Sequence, residues 1–203
     1  MKLIMSPLSP YVRKVRVLVR EANITDAVEE VVVATTPLET AAEVRAANPL
    51  GKIPALVRTD GPTLFDSRVI CRFLDDFAGA GLYPASRLWE VLTLEALAEG
   101  ITDAAISMAY EVRMRPEAER SPAWIEAQWQ KAARGIAAVE DQWMSHLSGP
   151  LNMGQIGVAC ALSYIDLRHD ARNWRDGHKA LADWHAAFCA RPALQATRPE
   201  PAV

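Results

Sequence analysis

The residues best placed to do chemistry lie in three short stretches of the first third of the chain. One is Asn48-Pro49-Leu50-Gly51-Lys52-Ile53-Pro54, followed at once by the apolar run Ala55-Leu56-Val57. Two prolines and a glycine stop any helix arriving from the left, and the apolar run reads as a buried strand. A proline has no N–H to give to a ladder, so it is tolerated at a strand's first residue or in a cis turn. If the Ile53-Pro54 bond is cis, the N–H and C=O of Ile53 turn out of the sheet. They then form a short free edge that an extended peptide can join by strand addition. The same ten residues also read as a plain loop entering a strand. The second stretch is Ser6-Pro7-Leu8-Ser9-Pro10-Tyr11, in which Ser9 suits a helix N-cap and Pro10 the first helical position. The third is Asp66-Ser67, the opening of another helix.

The elements that carry these stretches follow from periodicity. Lys2 to Met5 is a short strand, and Val12, Val15, Leu18 and Val19 recur at helical spacing up to about Asn23. Val28 to Val33, rich in β-branched residues, is a second strand, and the short links make a βαβ unit with parallel strands. Leu38 to Ala47 is an alanine-rich helix leading into the proline stretch. Ala55 to Arg58 and Thr63 to Phe65 are joined by Thr59-Asp60-Gly61-Pro62, a turn signature that predicts an antiparallel hairpin. The helix after Asp66-Ser67 carries Val69, Ile70, Phe73, Leu74 and Phe77. The order β-α-β-α-β-β-α fits one sheet with helices on both faces.

Ala78 to Pro84, a run of small residues closed by a proline, is the natural boundary. Beyond it every pattern is helical. Leu88 to about Met114 forms one long helix, and Trp124 to Trp143 lies in another that Ser148-Gly149-Pro150 closes. Asn152 and Gln155 have capping-box spacing before Ile156 to Ile165, a body apolar on nearly every side and hence central. Leu181, Trp184 and Phe188 carry the last helix, and from Arg191 the chain is expected to end exposed. The division is therefore 1–78 for an α/β domain and 85–203 for an all-helical domain.

Composition narrows the class. Of 203 residues half are hydrophobic and 23% charged, which suits a soluble globular protein. A formal charge of −3 provides no basic field, so nucleic acid is not an expected partner. No run is long enough to span a bilayer and the apolar start is cut off by Ser6-Pro7, so neither membrane nor signal peptide is expected. The three cysteines are scattered without C-x-x-C spacing, which fits a reducing cytoplasm. The four histidines show no metal-ligand pairing, and no metal is expected.

Ser6-x-x-Ser9-Pro10-Tyr11-x-Arg13, Asn48-Pro-Leu-Gly-Lys-Ile-Pro54 and Phe65-Asp66-Ser67 together resemble the cytosolic glutathione S-transferases, serine-type and bacterial-like. So do the capped central helix and the late Ala190-Arg-Pro-Ala193. The resemblance covers nearly the whole chain. It implies a thioredoxin-like first domain, a helical second domain, a cytoplasmic homodimer serving detoxification, and glutathione bound as co-substrate along the first domain. Ile53 before Pro54 then pairs with the cysteinyl part of the ligand. Ser67 offers a hydroxyl, an N–H and a helix dipole to the γ-glutamyl carboxylate, or serves simply as an N-cap. Asp66 accepts from the ligand's ammonium group. Lys52 meets the glycyl carboxylate or is merely solvated.

The family's chemistry needs a thiolate, and a free thiol with a pKa near 8.5 is only a few per cent ionised at neutral pH. One hydroxyl donating to the sulfur anion is worth roughly 1.5–3 kcal/mol, about one to two pKa units. Ser9 is the first choice of donor, with Ser6 and Tyr11 as alternatives. The absence of a cysteine from this loop disfavours glutathione-disulfide exchange. The basic set Arg13, Lys14, Arg16 and Arg20 reads chiefly as a wet face, and Glu99 as a solvated helix residue or a carboxylate reaching the ligand across a dimer. A second-substrate pocket is expected from Leu8, Tyr11, Met108 and Arg113, apolar through Met108 and Tyr110. The expected reaction joins the glutathione sulfur to a small, apolar electrophile. A glutathione-dependent isomerase or dehalogenase, or a non-catalytic glutathione-binding dimer, are the alternatives.

Overall fold

The computed structural model describes residues 1–199 and divides into two compact units, Met1–Pro84 with the segment from Pro192, and Ala85–Arg191. In the first unit, β1 (Lys2–Met5) lies between β2 (Glu29–Val32) and β3 (Ala55–Val57). β1 and β2 run parallel, Leu3 opposite Glu30, while β1 and β3 run antiparallel, Leu3 opposite Leu56. This is the thioredoxin-like arrangement, here with a small sheet.

Helix α1 (Pro10–Glu21) buries Val12, Val15, Leu18 and Val19, and it packs on α3 (Ser67–Ala78). Its polar face is tied back to β2, because Arg16 and Arg20 both donate to the Glu30 carboxylate, at 3.0 and 2.8 Å. Helix α2 is shorter than its sequence pattern, Ala42–Ala47 rather than from Leu38. Thr36 and Thr35 side chains accept from the N–H groups of Glu39 and Ala41, and this local turn displaces the helix. The expected hairpin also shrinks. Thr63 to Phe65 form no strand but a single antiparallel bridge, Leu56 to Leu64. Pro62 has no N–H for a ladder, and its carbonyl accepts from the Arg58 side chain instead.

Helix α3 (Ser67–Ala78) ends on Gly79 in the left-handed conformation, φ 61°, with Gly79 and Ala80 N–H groups closing on Asp75 and Asp76 carbonyls. The buried carboxylate of Asp75 accepts from the N–H groups of Leu82 (2.7 Å) and Tyr83 (3.2 Å), and so fixes the segment that leaves the unit. Asp75→Ala leaves two buried N–H groups without partners. The expected loss is about 2–4 kcal/mol in a urea titration, against under about 1 kcal/mol for the exposed Asp76→Ala.

The C-terminal segment departs from expectation in the same unit. It was expected to end exposed and to belong with the helices. Instead α8 (Pro192–Ala196) buries Ala193 and Leu194, and the buried guanidinium of Arg13 donates to the Leu194 carbonyl at 3.2 Å. Thr197, also buried, closes the turn on the Ala193 carbonyl. A segment that hides Leu194 and accepts a bond from a buried arginine is part of that unit's core.

The second unit is all-helical: α4 (Leu88–Met114), α5 (Pro122–Leu147), α6 (Met153–His169) and α7 (Lys179–Cys189). α6 is central, buried without a break from Met153 to Leu162. Glycines let the helices close up: a Cβ on Gly135 would come 2.7 Å from Ile101 Cγ1, and one on Gly157 3.2 Å from the Ala98 Cβ. Leu94 and Ala98 are buried in this core, because α4 packs on α5 and α6 along that stripe. Trp89 of α4 stays open, 75% exposed.

Candidate functional site

The strand register brings the three sequence stretches to one end of the first unit's sheet. Ile4 pairs with Ala55, so Pro54 stands level with Met5 and the Ile53 backbone with the start of the Ser6–Ser9 loop. Leu64 pairs with Leu56 in the same antiparallel sense, which carries Phe65 and Asp66 back towards that level. The Ile53-Pro54 bond is cis, as the sequence suggested. Among the described residues, neither the N–H nor the C=O of half-buried Ile53 has a backbone partner.

The turn that delivers Ile53 is held by a residue missed in the sequence reading. Buried Asn48 donates from Nδ2 to the Lys52 carbonyl (2.9 Å) and accepts on Oδ1 from the Leu50 N–H (3.0 Å). Its carbonyl accepts from Gly51, whose φ of 63° only glycine adopts freely. The signal was available: an Asn ahead of Pro-x-Gly commonly bonds its own turn. The Lys52 side chain is exposed.

Ser9 caps α1 with extended backbone (φ −81°, ψ 124°), its Oγ accepting from the Val12 N–H at a long 3.4 Å. Its N–H donates to the Ser6 carbonyl at 3.1 Å, which folds the loop back on itself. A capping serine uses only acceptor capacity, so its O–H proton remains available to an anion at the helix N-terminus. Ser6, Leu8 and Tyr11 are half-buried around it.

At α3 the division of labour differs from the simple alternative for Ser67. Asp66, not Ser67, is the N-cap, accepting from the Arg68 N–H at 3.0 Å and the Arg68 guanidinium at 2.9 Å. Ser67 is the first residue of the helix and only 2% exposed. Partial burial pushes the Asp66 carboxyl up, but the Arg68 bonds and the charge of Lys14 outweigh it and leave it lowered. A lowered folded-state value contributes stability above the unfolded carboxyl's value of about 4, lost as pH falls through the folded one. Thermal melts from pH 6 to about pH 2 should therefore show a smaller acid-induced fall for Asp66→Asn than for wild type.

In the helical unit Arg113 and Tyr110 are exposed on α4, but Met108 is only 1% exposed. Met108 belongs to the packed interior of that helix and offers no surface to a pocket, a correction to its expected place. The four histidines all take internal bonds: His146 with Arg87, His169 with the Ala105 carbonyl, His178 with the Trp174 carbonyl and His185 with Ser163. No helix is long and apolar enough to cross a membrane.

Two family models match this chain: glutathione S-transferase N-terminal domain over residues 8–76 and C-terminal domain over residues 122–187. An uncharacterized GST-like protein of Escherichia coli K12, YibF, is 33% identical over 180 residues, 86% of each chain. A glutathione transferase family member from Pseudomonas fluorescens Pf-5 with bound glutathione superposes with a TM-score of 0.96. It is 39% identical over 98% of this chain and 99% of its own. The form with bound S-(propanoic acid)-glutathione gives 0.91 at 39% identity, covering 99% and 100%. A glutathione S-transferase from Methylobacillus flagellatus KT with glutathione bound gives 0.86 at 35% identity, covering 98% and 99%.

Proposed function

This chain belongs to the glutathione S-transferase family, and from that premise we propose that it transfers the glutathione sulfur to a small electrophile, with Ser9 holding the thiolate. The observation that carries the reading is the shared end of the sheet, where the strand register sets an unpaired Ile53 backbone level with the loop that leads to Ser9 and with the approach to α3. Glutathione is a short peptide with a thiol, an amine and two carboxylates, and each group has a counterpart there. Ile53 pairs with its cysteinyl backbone. The Ser67 N–H and hydroxyl receive the γ-glutamyl carboxylate at the positive end of α3, Asp66 accepts from the ammonium group, and Lys52 meets the glycyl carboxylate. Relatives 35–39% identical bind glutathione and a sulfur-substituted glutathione, which supports this assignment.

The reaction requires little else. Ser9 donates to the sulfur and lowers its pKa, the thiolate attacks the electrophilic carbon, and a C–S bond forms as the leaving group departs. Leu8 and Tyr11, half-buried in the loop and first turn around Ser9, are the side chains we assign to the electrophile. The protein works as a cytoplasmic homodimer in this reading, joined through Val69 and Phe77 of α3 and Trp89 of α4, all exposed. Sedimentation equilibrium at micromolar concentration tests the assembly, and a monomer would contradict it.

Calorimetry with glutathione, followed by turnover of a panel of aryl and alkyl halides, tests the function. Ser67→Ala is expected to weaken glutathione binding about tenfold or more by removing one charge-assisted bond. Binding without turnover of any electrophile would leave a glutathione-binding protein and defeat the transferase reading.

A further inference from the structure

Of the three cysteines, Cys71 and Cys160 are buried and Cys189, the last residue of α7, is partly exposed. Cys189 stands four residues after His185, so the two share a face of α7. That face meets α6. His185 Nε2 lies 3.3 Å from Cys189 Sγ and 3.0 Å from Ser163 Oγ, and the Ser163 hydroxyl is 3.7 Å from the same sulfur. A nucleophilic atom, an imidazole and a hydroxyl thus meet inside the helical unit, at a place the transfer reading does not use.

The partners of His185 settle which ring nitrogen is protonated. The Ala159 carbonyl, which can only accept, lies 3.3 Å from Nε2, and the Arg175 guanidinium, which can only donate, lies 3.5 Å from Nδ1. Nε2 therefore carries a hydrogen, in the neutral ring as in the charged one. It faces the carbonyl, the serine and the sulfur, so His185 is a donor to Cys189 and not a base for it. The ring is also held from behind. Both oxygens of Asp166 accept from Arg175, at 2.6 and 2.8 Å, and the same carboxylate accepts from the Trp174 indole at 2.7 Å. Trp174 packs at a steep angle on the imidazole, with ring centres 5.6 Å apart. The charged groups of this network, Asp166 and Arg175, are thus paired with each other, and the groups that face the sulfur are the His185 N–H and the Ser163 hydroxyl.

A neutral thiol gains little from such donors, because its sulfur accepts weakly, whereas a thiolate gains a charge-assisted bond from each. Donors fixed in advance therefore favour ionisation of Cys189, and the ionised form is the one that reacts. We propose that Cys189 is a modification site, a thiol that exchanges with small disulfides such as glutathione disulfide while His185 and Ser163 hold its thiolate. The Cys189 sulfur attacks one sulfur of the disulfide, and a new S–S bond forms. The old S–S bond breaks, and the departing glutathione thiolate takes its electron pair and then a proton from water. Cys189 is oxidised, one half of the disulfide is reduced, and excess reduced glutathione reverses the step. The site lies within the helical unit and is independent of the transfer reading, so it stands or falls without Ser9.

The test follows glutathionylation of the folded chain by glutathione disulfide, with the modified cysteine assigned by peptide mass spectrometry. Cys189 is expected to take one glutathionyl group while buried Cys71 and Cys160 stay as thiols. At pH 6 it should react about threefold faster or more in the folded chain than in the chain unfolded in urea, where no donor faces the sulfur. Ser163→Ala should slow the folded chain about three- to tenfold at pH 6. Losing one charge-assisted bond lowers the thiolate fraction about ten- to a hundredfold, and the greater nucleophilicity of a less stabilised thiolate returns about half of that on a logarithmic scale. At pH 9.5, where the thiol is ionised in both proteins, Ser163→Ala should be no slower than wild type. Ser163→Thr, which keeps the hydroxyl, should restore the rate at pH 6. His185→Phe keeps a ring beside Trp174 and removes the nearer donor, so it should slow the reaction at pH 6 at least as much. Ser163→Ala, at a partly exposed position, carries the test where the buried His185 variant fails to fold. A folded Cys189 slower at pH 6 than the unfolded one, modification of Cys71 or Cys160 first, or a Ser163→Ala rate equal to wild type at pH 6 overturns the proposal.

Discussion

Replacing Ser9 by alanine is expected to raise the pKa of enzyme-bound glutathione by about one to two units while leaving its affinity within about threefold. The geometry explains the separation. The Ser9 oxygen accepts from Val12, and what it gives a ligand is its proton, which is worth most once the sulfur carries charge. The peptide part of glutathione is held elsewhere, by Ile53, Asp66 and Ser67. Conjugation at neutral pH should then fall about ten- to a hundredfold and recover in part at high pH, where the thiol ionises unaided. Losing the cap also costs the fold about 1 kcal/mol, so the variant will melt earlier. Ser9→Thr separates the two effects, since it keeps both cap and hydroxyl and should restore the low pKa. The readout is thiolate absorbance of the complex against pH, with Ser6→Ala and Tyr11→Phe alongside. An unmoved curve in Ser9→Ala with a shifted one in either of the others would assign the hydroxyl to that residue instead.

What could be read in advance depended on how local its cause was. The cap at Ser9, the proline-led entry to β3 and the capping box at Asn152 are set within a few residues, and each stands where its residues place it. The expected hairpin is reduced to one bridge for a local reason: Pro62 lacks the N–H a second strand needs. Thr35 and Thr36 displaced the start of α2 in the same way. Other features have no local trace. That Leu194 must meet Arg13, 181 positions earlier, follows from how the chain returns, and no pattern in Arg191 to Thr197 announces it. Met108 sits at the helical spacing of a core residue, and it was the expected pocket, not the pattern, that gave it a different place.

The largest stability effect expected anywhere in the chain belongs to Gln155, and it shows how a local motif is enlarged by tertiary structure. Within the capping box its Oε1 accepts from the Asn152 N–H at 2.8 Å, and its own N–H donates to Asn152 Oδ1 at 3.3 Å. The same side chain then reaches outward, its Nε2 donating to the carbonyls of Leu147 at 2.9 Å and Gly149 at 3.0 Å. One buried amide thus joins the end of α5, the following turn and the start of the central helix. Gln155→Ala strands the Asn152 N–H and the Gly149 carbonyl and leaves the Leu147 carbonyl with the Trp184 indole N–H alone, at an expected cost of about 3–5 kcal/mol in a urea titration. Asn152→Ala removes the acceptor for the N–H of Gln155 and the donor to the Pro150 carbonyl, and should cost about 1–2 kcal/mol. Gln155→Glu is the discriminating variant. It keeps the acceptor for Asn152 but turns a carboxylate towards the Leu147 and Gly149 carbonyls. It should therefore be as damaging as alanine at pH 8 and regain part of its stability near pH 5, where a raised carboxyl protonates and can donate again. If Gln155→Ala costs no more than Asn152→Ala, the outward bonds contribute nothing and the residue is an ordinary capping-box partner.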